Sequence, residues 1–124
     1  MRVLLAAAVI AAACTISPHD QSDFVVAYRV TASTGITCDS VKYENAVGDI
    51  VTVASPTLPW AFANSAPPGS AVQARAWMTA TASGQQAKLK ATWTLTGVST
   101  AGDSSYGTTT AGGKFSLVIV RRRL

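Results

Sequence analysis

Apolar and polar residues alternate along much of the chain from Phe24 onwards. In the first such segment every second residue from Phe24 to Ala32 is apolar or aromatic, and Arg29 and Thr31 lie between them. A period of two sends successive side chains to opposite faces of an extended chain, so this segment is predicted to be a strand with one buried face. Gly35 marks its end.

Five further segments have the pattern of a strand, namely 36–46, 50–54, 71–82, 87–96 and 115–120. Gly48-Asp49 is a turn signal between the first two of these, so 41–54 is predicted to be a hairpin. Two prolines interrupt 55–60. Because proline cannot donate to a sheet ladder, that segment is predicted to cross over or to run along an edge.

Two stretches lack the alternation and are predicted to be loops. Residues 61–70 contain the turn sequence Pro67-Pro68-Gly69. Residues 97–113 are rich in glycine, serine and threonine, which predicts a long hairpin loop or a poorly ordered edge.

Six or seven strands, frequent turn signals and the lack of helical periodicity predict an all-β fold. The architecture that fits about 100 residues of this kind is a small antiparallel immunoglobulin-like β-sandwich over 24–124. Its core is predicted to contain the inward-facing aliphatic residues of each strand and the aromatic residues Tyr28, Tyr43, Trp60, Trp93 and Phe115.

The first fourteen residues, MRVLLAAAVIAAAC, have the pattern of an export signal. Arg2 supplies a positive start, residues 3–13 form an apolar run without charge, and three alanines precede Cys14. As a helix this run would reach about 16 Å, roughly half of a hydrocarbon core of about 30 Å, so it is too short to span a membrane. The stretch resembles a bacterial lipoprotein signal, which is cleaved just before a cysteine that then carries the lipid.

This resemblance divides the chain into a signal peptide, 1–13, a lipidated Cys14 with a polar tether, 14–23, and the sandwich domain, 24–124. It implies export and attachment to a membrane of the cell envelope, on the periplasmic or cell-surface side. Plain secretion, a retained anchor helix and a disulfide between Cys14 and Cys38 are the alternatives. If Cys14 is lipidated, Cys38 has no partner in the chain and is predicted to be a buried apolar side chain.

Ten basic residues against six acidic ones give the chain a formal charge of +4. Nucleic acid is not expected as a partner, because export removes the chain from it. Lys88 and Lys90 share a strand face, and Arg121, Arg122 and Arg123 form a run that could contact phosphates or an anionic envelope polymer. The alternative interpretation of these five residues is a solvated face and tail.

Trp77 and Tyr106 are the candidate aromatic contacts. Trp77 lies on the more polar side of its strand, and Tyr106 is the one aromatic residue in 97–113. Together they could form an exposed platform of the kind that sugar-binding sandwiches present, or a neighbouring loop could cover Trp77.

No catalytic residue is predicted. The single histidine, His19, lies in the tether, and no G-x-S-x-G motif occurs, so a nucleophile would have no base beside it. Asp39, Glu44 and Asp49 lie near the predicted hairpin. They are predicted to be turn and surface residues, with a weak calcium site as the alternative. Neither a cofactor nor a metal is expected.

Four short motifs occur in order along the domain: YRVTA at 28–32, VKYEN at 41–45, LPW at 58–60 and an alanine-rich strand at 72–82. Through them the chain resembles the soluble domain of the small mycobacterial-type membrane proteins called MmpS, and similar short secreted proteins of other bacteria. The resemblance implies a β-sandwich held outside the inner membrane. For MmpS itself it implies an accessory role beside large exporters of lipids or siderophores.

We therefore expect a non-enzymatic envelope lipoprotein whose sandwich binds or supports an envelope partner, with service to an export system as one form of that role. The alternative is a carbohydrate- or lipid-binding module that uses an exposed aromatic and basic face. An envelope enzyme is a third hypothesis that the sequence leaves open.

Overall fold

The computed structural model describes residues 23–95 and 100–124, and every regular element within them is a strand. The strands are β1 (Phe24–Ala32), β2 (Ile36–Glu44), β3 (Ile50–Ala54), β4 (Trp60–Ala66), β5 (Ala71–Ala80), β6 (Gln86–Leu95), β7 (Thr100–Thr108) and β8 (Gly113–Arg123). The predicted signal peptide, Cys14, His19 and the tether up to residue 22 lie outside the described residues. Nowhere in the described ranges is there a helix of the length and hydrophobicity that a membrane crossing requires.

The strands form two four-stranded sheets. Sheet 1 has the order β4-β1-β6-β7 and sheet 2 the order β3-β2-β5-β8, and every strand pair is antiparallel. The segment 55–59 carries the chain from β3 in sheet 2 to β4 in sheet 1, as its prolines predicted. The fold class predicted from the sequence, a small antiparallel β-sandwich, is confirmed.

Two of the eight strands seen in the described residues, β4 and β7, occupy stretches that the sequence predicted to be loops. β4 pairs with β1 along its whole length, from Trp60 opposite Val30 to Ala66 opposite Phe24. Its alternation is hidden because alanines point outward while Asn64 points toward the other sheet. The inward and outward residues of β4 therefore do not differ consistently in polarity. The segment is a strand because its backbone pairs with β1.

β7 is an edge strand in which small polar side chains and glycines conceal the alternation. It pairs with β6 from Thr100 opposite Thr94 to Thr108 opposite Gln86. A Cβ placed on Gly107 would come within 3.0 Å of the Leu117 side chain. A larger residue there would require the Leu117 and Phe115 side chains to shift, so glycine suits the close approach of β7 to β8.

The core lies between the two sheets and contains the residues that the alternation places inward. Tyr28, Met78, Leu89, Val30, Val41 and Val72 are the largest fully buried side chains. Complete burial of such side chains contributes roughly 1.5 to 3 kcal/mol each. Of the predicted aromatic core residues, Tyr28, Tyr43 and Trp93 are buried, and Trp60 and Phe115 pack against the core at its margin.

The predicted hairpin of β2 and β3 turns at residues 45–49. The Asn45 side-chain oxygen accepts hydrogen bonds from the backbone amides of Val47, at 3.1 Å, and Asp49, at 2.9 Å. Gly48 adopts a φ of 88°, a left-handed value that favours glycine. The turn signal read from the sequence is confirmed.

Candidate binding faces

The predicted surface residues lie on two opposite sides of the sandwich. Trp77 belongs to β5 in sheet 2, whereas Lys88 and Lys90 belong to β6 and Tyr106 to β7, both in sheet 1. Trp77 and Tyr106 are therefore not brought together into one aromatic platform. Each stands on the outer face of its own sheet.

Trp77 lies at the centre of the outer face of sheet 2. It is half-buried between two serines, Ser40 on β2 and Ser116 on β8, which are its register partners. The Arg75 guanidinium carbon lies 5.1 Å from the Trp77 ring centroid, and the Lys42 ammonium nitrogen lies 5.5 Å from it. Both distances are within the range of cation–π attraction.

Two shallow depressions lie beside Trp77 on this face, and Trp77 and Lys42 line both of them. The first, of about 520 Å³, also contains Asp39, Ser40, Lys114 and Ser116. The second, of about 410 Å³, is lined in addition by Ile50, Gln73, Arg75, Val118, Val120 and Arg121. Ile50, Val118 and Val120 are exposed to solvent. We refer to Lys42, Arg75, Trp77, Ile50, Val118 and Val120 together as the Trp77 face.

Arg121 forms an ion pair with the buried carboxylate of Glu44. Glu44 is only 5% exposed, and it accepts hydrogen bonds from Arg121 Nε at 3.0 Å and from Gln73 Nε2 at 2.9 Å. The hydrogen bond from Arg121 is the main reason why the pKa of Glu44 lies below its ordinary value, and Gln73 adds to the effect. Arg121 therefore stabilises the buried carboxylate, a role that its place in a basic run did not reveal.

The other two arginines of the run differ from Arg121 in their surroundings. The Arg122 guanidinium carbon lies 5.4 Å from the ring centroid of Trp93, at the margin of the core. Arg123 is exposed at the end of β8, in register with Ala71. The run therefore does not present three equivalent cations to a ligand.

The acidic residues near the hairpin have separate partners. Asp39 accepts a hydrogen bond of 2.8 Å from Thr79 Oγ1 and forms an ion pair with Lys114 at 3.4 Å. Glu44 is bound by Arg121, and Asp49 is exposed in the turn. Within residues 23–95 and 100–124 no three potential metal-binding side chains lie close enough to hold an ion together.

Lys88, Lys90 and Tyr106 are neighbours on the outer face of sheet 1. Lys88 lies opposite Tyr106 across the β6–β7 ladder, and its ammonium nitrogen is 4.9 Å from the Tyr106 ring centroid. A hydrogen bond from Lys88 and its charge lower the pKa of Tyr106. Arg29 on β1 lies directly opposite Lys90, a neighbour that the sequence pattern does not reveal because the two residues are 61 positions apart in the chain.

Cys38 is a free thiol, and its predicted burial is confirmed. Its sulfur donates to the Ser40 carbonyl oxygen at 3.5 Å. Burial raises the pKa of Cys38 to about 11, so the thiol stays protonated at neutral pH and is a poor nucleophile.

No protein-family model matches this chain, and a search of the curated proteins finds no relative. The resemblance to MmpS therefore stays a prediction that rests on its four short motifs.

Proposed function

We propose that this protein is a non-enzymatic binding module of the bacterial cell envelope and that its Trp77 face binds a partner protein. The observation that carries this proposal is the position of Trp77. A half-buried tryptophan stands at the centre of a sheet face, with Arg75 beside its ring and exposed aliphatic side chains around it.

This composition suits a protein interface. Tryptophan and arginine are the residues that most often dominate binding energy at such interfaces, and they act best when surrounding side chains exclude water. Ile50, Val118 and Val120 would supply that apolar surround. Scattered exposed aliphatic residues are ordinary, but here three of them border one depression beside a tryptophan.

The positive charge on the Trp77 face indicates which charged groups the partner carries. Lys42 and Arg75 lie opposite each other in the β2–β5 ladder. Both contact the Trp77 ring, and Arg75 also donates to the Ser116 hydroxyl at 3.2 Å. Both ion pairs seen among the described residues involve other cations, Lys114 and Arg121. We therefore expect the partner to place one or two carboxylates against Lys42 and Arg75.

The proposed location rests on the sequence of the first fourteen residues. Export, cleavage before Cys14 and a lipid on that cysteine would hold the sandwich beside membrane proteins of the envelope, including transporters, and away from nucleic acid. Intact-mass measurement of the membrane-extracted protein tests this step. A mature chain that begins at a lipid-modified Cys14 is the expected result, and an unmodified Cys14 would remove the anchor from the proposal.

Site-specific photo-crosslinking in intact cells tests the binding face. A photoreactive amino acid is placed at Val118 on the Trp77 face, and at Val25 on the outer face of sheet 1 as a matched control. These valines are 43% and 46% exposed, so chance encounters label both equally. We expect a discrete protein adduct from Val118 and none from Val25. Equal labelling, or no adduct from either position, would contradict the assignment of this face.

A further inference from the structure

The outer face of sheet 1 carries a group of cations at short spacing. Arg29 lies opposite Lys90, and Lys90 lies opposite Ser104 on the next strand. Two residues before Lys90 on β6, Lys88 lies between Thr31 on β1 and Tyr106 on β7. We refer to Arg29, Lys88, Lys90, Ser104 and Tyr106 as the cationic face.

Among the described residues, the cationic face has no carboxylate to balance its charge. The outward positions of β4, β1, β6 and β7 are occupied by Ala, Val, Arg, Thr, Gln, Lys, Ser, Gly and Tyr. The acidic residue of β7, Asp103, lies opposite the buried Ala91 and thus on the inner side of the strand. Like charges directly opposite each other destabilise a sheet, so Arg29 and Lys90 oppose folding unless an anion lies between them.

The surface beside these cations leaves room for a ligand. A shallow depression of about 470 Å³ adjoins Arg29 and Lys90, and it is lined in addition by Ala27, Tyr28, Ala61, Phe62, Ala63 and Thr92. Tyr106 is 71% exposed and presents an aromatic ring beside the Lys88 ammonium group. A tyrosine offers both a flat apolar surface and a hydroxyl group to a ligand that has apolar and polar sides.

We propose that the cationic face binds an acidic polysaccharide, with a sugar ring against Tyr106 and carboxylate or phosphate groups on Lys88, Lys90 and Arg29. Charge complementarity calls for an anionic ligand, and the spacing of the cations over two neighbouring strands suits a chain that bears repeated charges. The exposed Tyr106 favours a sugar polymer over a simple anion.

A lipid surface fits this face less well. Membrane-surface binding combines cations with large apolar side chains that enter the headgroup region. The exposed aliphatic residues Ile50, Val118 and Val120 belong to sheet 2, whereas Val25 is the one large exposed aliphatic side chain among the described strand residues of sheet 1. The site is independent of the Trp77 face, so either proposal can fail without the other.

Affinity electrophoresis of the full chain tests the proposal, with alginate in the gel as the acidic polysaccharide and dextran as the neutral reference. The variant Lys88→Gln/Lys90→Gln removes two charges from the cationic face. Its matched control, Arg122→Gln/Arg123→Gln, removes two charges from the end of β8. Melting temperatures of both variants show that each is folded.

We expect alginate to retard the wild-type chain and the Lys88→Gln/Lys90→Gln variant to lose about tenfold in apparent affinity, because charge-assisted hydrogen bonds are lost. The apparent affinity of the control variant for alginate should stay within about twofold of the wild-type value. Tyr106→Ala should weaken the retardation in alginate gels and leave the mobility in dextran gels unchanged. Equal loss in both double variants, or no retardation of the wild type, would overturn the proposal. A preference for phosphatidylglycerol over phosphatidylcholine vesicles that depends on Lys88 and Lys90, without retardation by alginate, would assign the face to lipid and overturn it as well.

Discussion

The Tyr28 hydroxyl donates a hydrogen bond of 3.0 Å to the backbone carbonyl oxygen of Glu44. Tyr28 lies on β1 in sheet 1 and Glu44 ends β2 in sheet 2, so this bond joins the two layers of the sandwich. The Tyr28 ring also packs against Tyr43, with ring centroids 5.3 Å apart. The contact holds the β2–β3 hairpin against the opposite sheet.

Replacing Tyr28 with phenylalanine keeps the ring and removes the hydroxyl. A net loss of about 0.5 to 1.5 kcal/mol in the free energy of unfolding is expected, because one buried hydrogen bond is lost. Urea unfolding at neutral pH measures this value. Tyr106→Phe is the control, since its ring is exposed and its loss should be near zero. A stability of Tyr28→Phe equal to that of the wild type would show that the bond between the sheets contributes nothing.

Alkaline pH should destabilise the fold through buried acids. Burial raises the pKa of Tyr28 from 10.0 to about 12 and that of Cys38 from 9.0 to about 11. Because the folded state holds both protons more tightly, the stability that they contribute is complete below pH 9 and is lost as the pH rises through about 12. Urea midpoints measured across this window should fall less steeply for Tyr28→Phe than for the wild type. If the urea midpoints of the two proteins fell equally with pH, the loss of stability at alkaline pH could not be assigned to Tyr28.

Acid pH should act through Glu44. Its pKa is lowered from 4.5, chiefly by the hydrogen bond from Arg121, so the stability it contributes is present above pH 4.5 and is lost as the pH falls through the lower folded value. Arg121→Ala should lower the free energy of unfolding at neutral pH, because among the described residues it leaves the buried carboxylate with Gln73 as its remaining side-chain donor. The same substitution should cost less at acid pH, and Arg123→Ala is the control. A cost for Arg121→Ala that does not change with pH would refute the ion pair as its origin.

Trp93 is the aromatic side chain of β6 that faces the core, and it is 8% exposed. Trp93→Ala should lower the free energy of unfolding by about 3 to 5 kcal/mol, because it removes a large buried ring and leaves a cavity. Thermal unfolding followed by circular dichroism measures the effect. The exposed Tyr106 provides the comparison, and Tyr106→Ala should leave the melting temperature close to that of the wild type. An unchanged melting temperature for Trp93→Ala would place the ring outside the core.

The sequence predicted the strands in which large apolar side chains alternate with polar ones. β1, the β2–β3 hairpin, β5, β6 and β8 are of this kind. β4 and β7 could not be recognised, because their outward and inward residues do not separate into polar and apolar sets: in β4 alanines lie outward and Asn64 inward, and β7 is made mostly of small polar residues and glycines. The pattern of side chains thus reveals a strand only where burial separates its two faces.

The candidate faces were harder to predict than the fold. The alternation placed Trp77 and Lys88 on outer faces, but it could not assign them to different sheets, because strand order depends on pairing between distant segments. For the same reason Arg29 was not recognised as a neighbour of Lys90, and the Arg121 contact with Glu44 was hidden within a run of arginines. Trp77 and Tyr106, expected to share one surface, therefore lie on opposite sides of the sandwich, because β5 and β7 belong to different sheets.

The most direct measurement of the central claim is the yield of the Val118 crosslink in cells that carry Trp77→Ala. If the Trp77 face binds a partner protein, the adduct should fall by about tenfold or more, as expected when a central tryptophan of an interface is truncated. Tyr106→Ala, on the opposite side of the sandwich, should leave the yield unchanged. An adduct that persists undiminished in folded Trp77→Ala protein would contradict the account.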